Sequence, residues 1–265
     1  MDHAVPSFEV LPGAAVSPVI LHVPHSARVI PAAVRADIVL DDAALERELD
    51  DITDAHTAEL AEAAAGLARS TPWRFVNRLS RLVVDPERFP DEREEMLAVG
   101  MGAVYTGTTR RGTLRDADGD PVPLIERYFR PYARAMTEAV EDRLAATGRA
   151  VVIDVHSYPT EPLPYELHGG GPRPPVCLGT DAFHTPAQLA ALAREAFAGF
   201  GGTGLDSPFS GTYVPLRFYG TEPRVEALMV EIRRDGYMTE PGGPAGEGLQ
   251  RLASALAVLV DRADH

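Results

Sequence analysis

VVIDVHSYP, Val151 to Pro159, opens with four residues, Val151 to Asp154, that read as a short buried strand. Asp154 and His156 project from its end. Two residues apart on an extended chain, they point to the same side. An aspartate so placed orients a histidine ring or shares a cation with it. Nothing in the packing of a strand calls for either polar group. VILHVPHS, Val19 to Ser26, has the same form: an apolar strand, then histidine, then serine. Two strands that each deliver a histidine at their C-terminal ends point to one site along one sheet edge.

The rest of the chain fits an α/β architecture. It is 265 residues long, enough for one large α/β domain, and residues 1–265 are read as one. Residues 1–18 read as a loose arm or an edge strand, and a short helix follows Pro31. Asp41 to Ala68 reads as one long helix whose apolar face carries Leu45, Leu49, Ile52, His56 and Leu60. On a continuous helix Asp50 and Asp54 face solvent; a break near Asp51–Asp54, with Thr53 or Asp54 as a new cap, changes that. Arg74 to Leu79 and Leu82 to Asp85 read as strands. Residues 86–112, rich in charge, glycine and proline, read as a long functional loop or lid. A hairpin is expected over 113–123, then a helix from Leu124 to Thr147. Beyond the central strand come a strand at Val176 to Gly179, a helix at Thr185 to Phe200, a strand at Ala227 to Ile232 and a final helix from Pro241 to Ala263. Strands alternating with helices imply a three-layer sandwich around a mixed, mostly parallel sheet. Ligands of such sheets sit beyond the strand C-terminal ends.

Charge and composition exclude several classes. A net charge of -14 disfavours nucleic acid as a partner. No apolar run approaches the roughly 20 residues of a bilayer span. The N-terminus lacks the pattern of a secretory signal, and the single cysteine, Cys177, cannot form an internal disulfide; both fit a cytoplasmic protein. There is no lysine, so every side-chain cation other than histidine is arginine, the residue suited to bidentate carboxylate contacts.

His25 and His156, each after a strand and followed by serine, make a candidate metal pair, because a catalytic zinc site uses three His/Asp/Glu ligands and leaves a position for water. His56, His168 and His184 read as structural, His3 and His265 lie near the termini, and His22 alternates with His25 and so points elsewhere. Glu231, inside the apolar run LMVEIRRD, is costly to bury unless paired or functional; it is either salt-bridged to Arg233 or a general base acting on water. Asp85 in RLVVDPER is either a structural partner of Arg81 and Arg88 or a substrate contact. A serine hydrolase is disfavoured, because neither Ser26 nor Ser157 lies in a Gly-x-Ser-x-Gly elbow.

Taken in order, VPHSARVIP, TDAHTAEL, SRLVVDPER, RYFRPY, DVHS, PFSGTY and VEIRRD resemble the N-formylglutamate amidohydrolase family over residues 19–238. The resemblance implies a fold similar to zinc carboxypeptidases and one zinc ion per chain. It implies hydrolysis of the formamide bond of N-formylglutamate, a small anionic intermediate of histidine degradation. Carried over by position, it makes His25 and His156 zinc ligands with Asp54 as the third; Asp51 remains open. It makes Glu231 the general base, sets Arg81, Asp85 and Arg88 near the substrate carboxylates, and has Arg130 and Tyr132 support the site or touch substrate. Three departures, Ala27 for glycine, Glu87 for asparagine and Ala133 for histidine, bear on the substrate more than on the reaction.

Overall fold

In the computed structural model, residues 6–167 and 170–265 are described; His3 and His168 lie outside them. Among the described residues seven strands form one mixed sheet: β1 (Phe8–Leu11), β2 (Val19–Val23), β3 (Trp73–Asn77), β4 (Ala150–Tyr158), β5 (Val176–Gly179), β6 (Thr203–Leu205) and β7 (Val225–Arg233). Their order is β1-β3-β2-β4-β7-β5-β6. The central run β3, β2, β4, β7 is parallel. Two antiparallel ladders, β1 on β3 and β5 on β7, make the sheet mixed. The helices are α1 (Ala32–Arg35), α2 (Asp42–Ile52), α3 (Thr57–Leu67), α4 (Val122–Leu124), α5 (Arg130–Thr147), α6 (Ala187–Ala196) and α7 (Gly248–Ala263).

Side-chain alternation builds the layers. Val151, Ile153 and Val155 point to one face, where Leu60 and Ala64 of α3 and Leu256 and Val260 of α7 cover them. Ile20, Val152 and Ala227 point to the other, against Met136 and Val140 of α5. Each buried aliphatic side chain contributes about 1.5–3 kcal/mol, so the three-layer sandwich expected from the sequence follows from the strand pattern.

β4 is longer than its apolar run. It pairs with β7 from Ala150 opposite Val225 to Tyr158 opposite Arg233. Asp154 and His156 therefore lie inside the strand rather than beyond its end. The ladder, not apolarity, sets the length.

The long helix expected over 41–68 is broken between Ile52 and Thr57. His56 takes a left-handed φ of 65°. The Asp54 N–H donates to His25 O at 3.0 Å, and the Thr57 hydroxyl donates to Asp54 O at 2.8 Å. The break turns Asp54 from a solvent face into the interior, where it is 2 % exposed. Leu82 and Val83 lie in a turn and Val84 and Asp85 in irregular backbone rather than a strand, with the Asp85 N–H donating to Ala103 O at 2.8 Å. The hairpin expected over 113–123 reduces to one bridge, Gly107 to Thr113. Residues 86–112 are tied down at their far end: Thr109 gives its N–H and hydroxyl to Glu48, each at 2.7 Å, and Arg110 pairs with Asp51 at 3.0 Å.

Candidate active site

Because β2, β4 and β7 run parallel, their C-terminal ends share one edge of the sheet. His25 follows β2. His156 sits in β4, and Glu231 in β7 is its direct neighbour across the ladder, so both side chains rise from the same face. Asp54 arrives from the break between α2 and α3. Three atoms converge here. His25 Nδ1 lies 3.2 Å from His156 Nδ1, His156 Nδ1 3.0 Å from Asp54 Oδ2, and His25 Nδ1 3.6 Å from Asp54 Oδ2. All three residues are at most 4 % exposed.

The other ring nitrogens face outward to carboxylates. His25 Nε2 lies 2.9 Å from Asp85 Oδ1. His156 Nε2 lies 3.2 Å from Asp154 Oδ1 and 3.1 Å from Glu87 Oε2; its N–H is shared between the two and aligned with neither. If the protons are on the outer nitrogens, both Nδ1 lone pairs turn inward toward a carboxylate oxygen. Such an arrangement repels itself unless positive charge sits within it. A tetrahedral zinc with bonds of roughly 2.0–2.1 Å spaces neighbouring donors about 3.3 Å apart, and the three measured separations bracket that value. The donor set fits a zinc ion, with carboxylates behind both imidazoles as metal-bound histidines require.

The electrostatics agree. Burial pushes Asp54 up, but bonds from His156 and His25 outweigh it and hold the carboxyl far below its ordinary range. Burial likewise opposes Asp85, which the Arg81 guanidinium and His25 hold well down. Burial and Arg81 lower His25, yet Asp85 and Glu87 raise it overall; Glu87 and Asp154 overcome burial at His156 and raise it strongly. Burial and then Asp154 push Glu87 up. Burial pushes Glu231 up to about 7. Five acids, Asp54, Asp85, Glu87, Asp154 and Glu231, meet three guanidiniums, Arg81, Arg88 and Arg234. With neutral rings, each proton lost from Glu87 or Glu231 leaves buried negative charge, costly unless offset, and a cation among the ring nitrogens offsets it.

All of these residues except Asp85 line a cleft of about 730 Å³. Arg81 and Arg88 are in its wall. Arg81 is largely committed to Asp85, at 2.6 Å through Nη2, and to Tyr105, but none of these bonds uses Nη1. Arg88 has more to give: its nearest acids, Asp85 and Glu94, are each 3.6 Å away, and its buried Nε has no hydrogen-bond partner among the described residues. Asp85 does not reach the cleft. It is 0 % exposed and its oxygens are taken by His25, Arg81, Tyr105 and the Glu87 N–H, so the structural alternative describes its position. Arg130 is also outside the cleft wall, exposed on α5 and paired with Glu126 at 2.6 Å. Asp51 faces Arg110 rather than the histidines. Arg233 pairs with Asp235 instead of Glu231, which leaves Glu231 Oε2 buried without a hydrogen-bond partner among the described residues. Ser157 Oγ accepts from Arg234 at 3.2 Å. His56 and His184 are held by the carbonyls of Gly243 and Val225.

Three participants escape the sequence reading. His22 faces the site, because Pro24 interrupts the alternation that would have set it opposite His25; its Nδ1 lies 2.8 Å from Asp154. Arg234, in the turn after β7, reaches back to Asp54 Oδ1 at 3.3 Å. Glu87 appears in the sequence only as a departure from a pattern, and it stands between both histidine rings. The one signal for Arg234 is its place beside Arg233 in VEIRRD.

Histidines, an aspartate and an unpaired glutamate gathered at the carboxyl ends of parallel strands define a hydrolase of the α/β class with a donor set of metal-ligand type. The sequence profile of N-formylglutamate amidohydrolase matches residues 17–238, and the chain belongs to that family. Its fold is similar to the crystal structure of N-formylglutamate amidohydrolase from Ralstonia eutropha JMP134, at 25% identity and a TM-score of 0.81, covering 97% of each chain. It is also similar to a gene product of Agrobacterium tumefaciens, at 20% identity and a TM-score of 0.71, covering 97% of this chain and 94% of that one. A metallo-carboxypeptidase from Burkholderia cenocepacia matches more distantly, at 13% identity and a TM-score of 0.36, covering 98% and 65%. No curated protein sequence matches. Among the described residues no helix is long and apolar enough to cross a membrane.

Proposed function

We propose that the chain is a zinc-dependent amidohydrolase that cleaves the formamide C–N bond of N-formyl-L-glutamate, or of a similar N-acyl acidic amino acid, giving formate and glutamate. The observation that carries this reading is the convergence of His25 Nδ1, His156 Nδ1 and Asp54 Oδ2 beside an unpaired Glu231. His25, Asp54 and His156 hold one zinc ion per chain. When bound, zinc supplies an acidified water and a Lewis acid for the carbonyl. Glu231 takes the proton from the attacking water at its free Oε2 and returns it to the leaving nitrogen. Arg88 and the uncommitted Nη1 of Arg81 bind the substrate carboxylates. Asp85 orients His25, and Arg234 orients Asp54.

The proposed setting is a cytoplasmic enzyme of histidine degradation, one hydrolytic domain over residues 1–265, with no nucleic-acid partner. The test is formate release from N-formyl-L-glutamate, beside a panel of N-acyl amino acids and short peptides. The cleft volume is within the ~300–1,000 Å³ of ordinary ligand pockets, so longer acyl groups belong in the panel. Formate release that a chelator stops and zinc restores supports the reading. Hydrolysis of peptides alone, or of nothing with zinc bound, overturns it.

A further inference from the structure

We propose that His22 is a positioning residue: held by Tyr132 and acting through Asp154, it fixes which ring nitrogen of His156 is offered to a metal ion. This rests on the metal-dependent reading above.

The residues form a buried chain. The Tyr132 hydroxyl lies 2.5 Å from His22 Nε2, His22 Nδ1 lies 2.8 Å from Asp154 Oδ1, and the same oxygen lies 3.2 Å from His156 Nε2. None of the four is more than 4 % exposed. The direction of each bond follows from donor chemistry. A carboxylate only accepts, so the nitrogen facing Asp154 carries the hydrogen. Nε2 of His22 is then the acceptor, and the Tyr132 O–H is the donor that meets it. On the far side, His156 meets carboxylates at both ring nitrogens, Asp54 at Nδ1 (3.0 Å) and Asp154 and Glu87 at Nε2; a metal ion on Nδ1 leaves the hydrogen on Nε2, toward Asp154 and Glu87. In that state Nδ1 of His156 is the bare nitrogen, on the side of Asp54 and His25.

His22 has little freedom to do otherwise. Its ring lies 4.7 Å from that of Tyr213 and 6.0 Å from that of Phe75. The second oxygen of Asp154 is turned toward the Tyr213 N–H at 3.3 Å. Without the His22 donor, Asp154 loses the shortest of its contacts and with it the orientation that backs His156. Partners behind a ligating histidine typically change metal affinity about 10–100-fold.

His22→Asn and His22→Gln separate this role from packing. The asparagine amide stands where Nδ1 stands and still donates to Asp154. The glutamine amide reaches the level of Nε2, toward Tyr132, and leaves Asp154 without its donor. Zinc affinity of the full chain is read by competition with a chromophoric chelator, with thermal unfolding of the zinc-free proteins alongside. The expected result is wild-type-like affinity for His22→Asn and roughly tenfold or greater weakening for His22→Gln, at similar melting temperatures. Equal affinities in the two variants, or a loss shared in full by both, overturns the positioning role. A wild-type chain that binds no zinc removes the metal-dependent reading itself.

Discussion

The two halves of β4 are buried alike and chemically opposed. Val151 to Ile153 have no solvent exposure, and Asp154 to Ser157 have at most 4 %. The first half contacts aliphatic side chains on both faces and stabilises the sandwich. The second carries a carboxylate, an imidazole and a hydroxyl into the same depth, at a cost that only partners offset. Register makes the difference useful. The β4–β7 ladder that aligns Ile153 with Leu228 also aligns His156 with Glu231, so apolar pairing at one end positions polar chemistry at the other.

Breaking each half in turn sharpens the contrast. Glu231→Gln removes the base without disturbing the ligands: zinc content stays, and formate release falls by about 10²–10⁴-fold. Equal turnover rules out the role. The pH profile follows from the same residue. A base works ionised, so activity falls as pH drops through its pKa, which burial raises to about 7 and a nearby cation lowers again. The acid limb of kcat/KM therefore lies at or below about 7 and is missing from the residual activity of Glu231→Gln. Ile153→Ala opens a cavity in the apolar half and costs about 2–5 kcal/mol of folding stability in a denaturant titration; the folded remainder keeps its zinc. Asp85→Asn takes the carboxylate from behind His25 and weakens zinc binding about 10–100-fold by chelator competition. Arg130→Ala, on the exposed face of α5, changes stability by less than about 0.5 kcal/mol and leaves KM unchanged. A raised KM restores Arg130 to the substrate site.

Much of this contrast is legible before folding. Alternation in VVIDV and VILHV gives strands and layers, because aliphatic burial is additive and local in sequence. His25, His156 and Glu231 stand out because each interrupts an apolar run. The break that turns Asp54 inward is one of two readings of a stretch whose helical pattern continues through His56, and a contact with His25, 29 residues earlier in the chain, decides for it. The places of Asp85 and Arg130 show the same limit. Both lie in stretches that resemble the family, but only tertiary partners decide that Asp85 is enclosed behind His25 and that Arg130 faces solvent beside Glu126. His22 is hidden in the sequence because the alternation of VILHV stops at Pro24, so its spacing to His25 does not report which side it faces.

Zinc content of the purified wild-type chain and of His156→Ala, measured by elemental mass spectrometry after purification without metal-leaching resins, tests the site most directly. The account predicts about one zinc per chain in the wild type and almost none in the variant, because two remaining ligands do not hold a catalytic zinc. A wild-type chain that takes up no zinc when zinc is supplied, or a variant that retains it in full, contradicts the account.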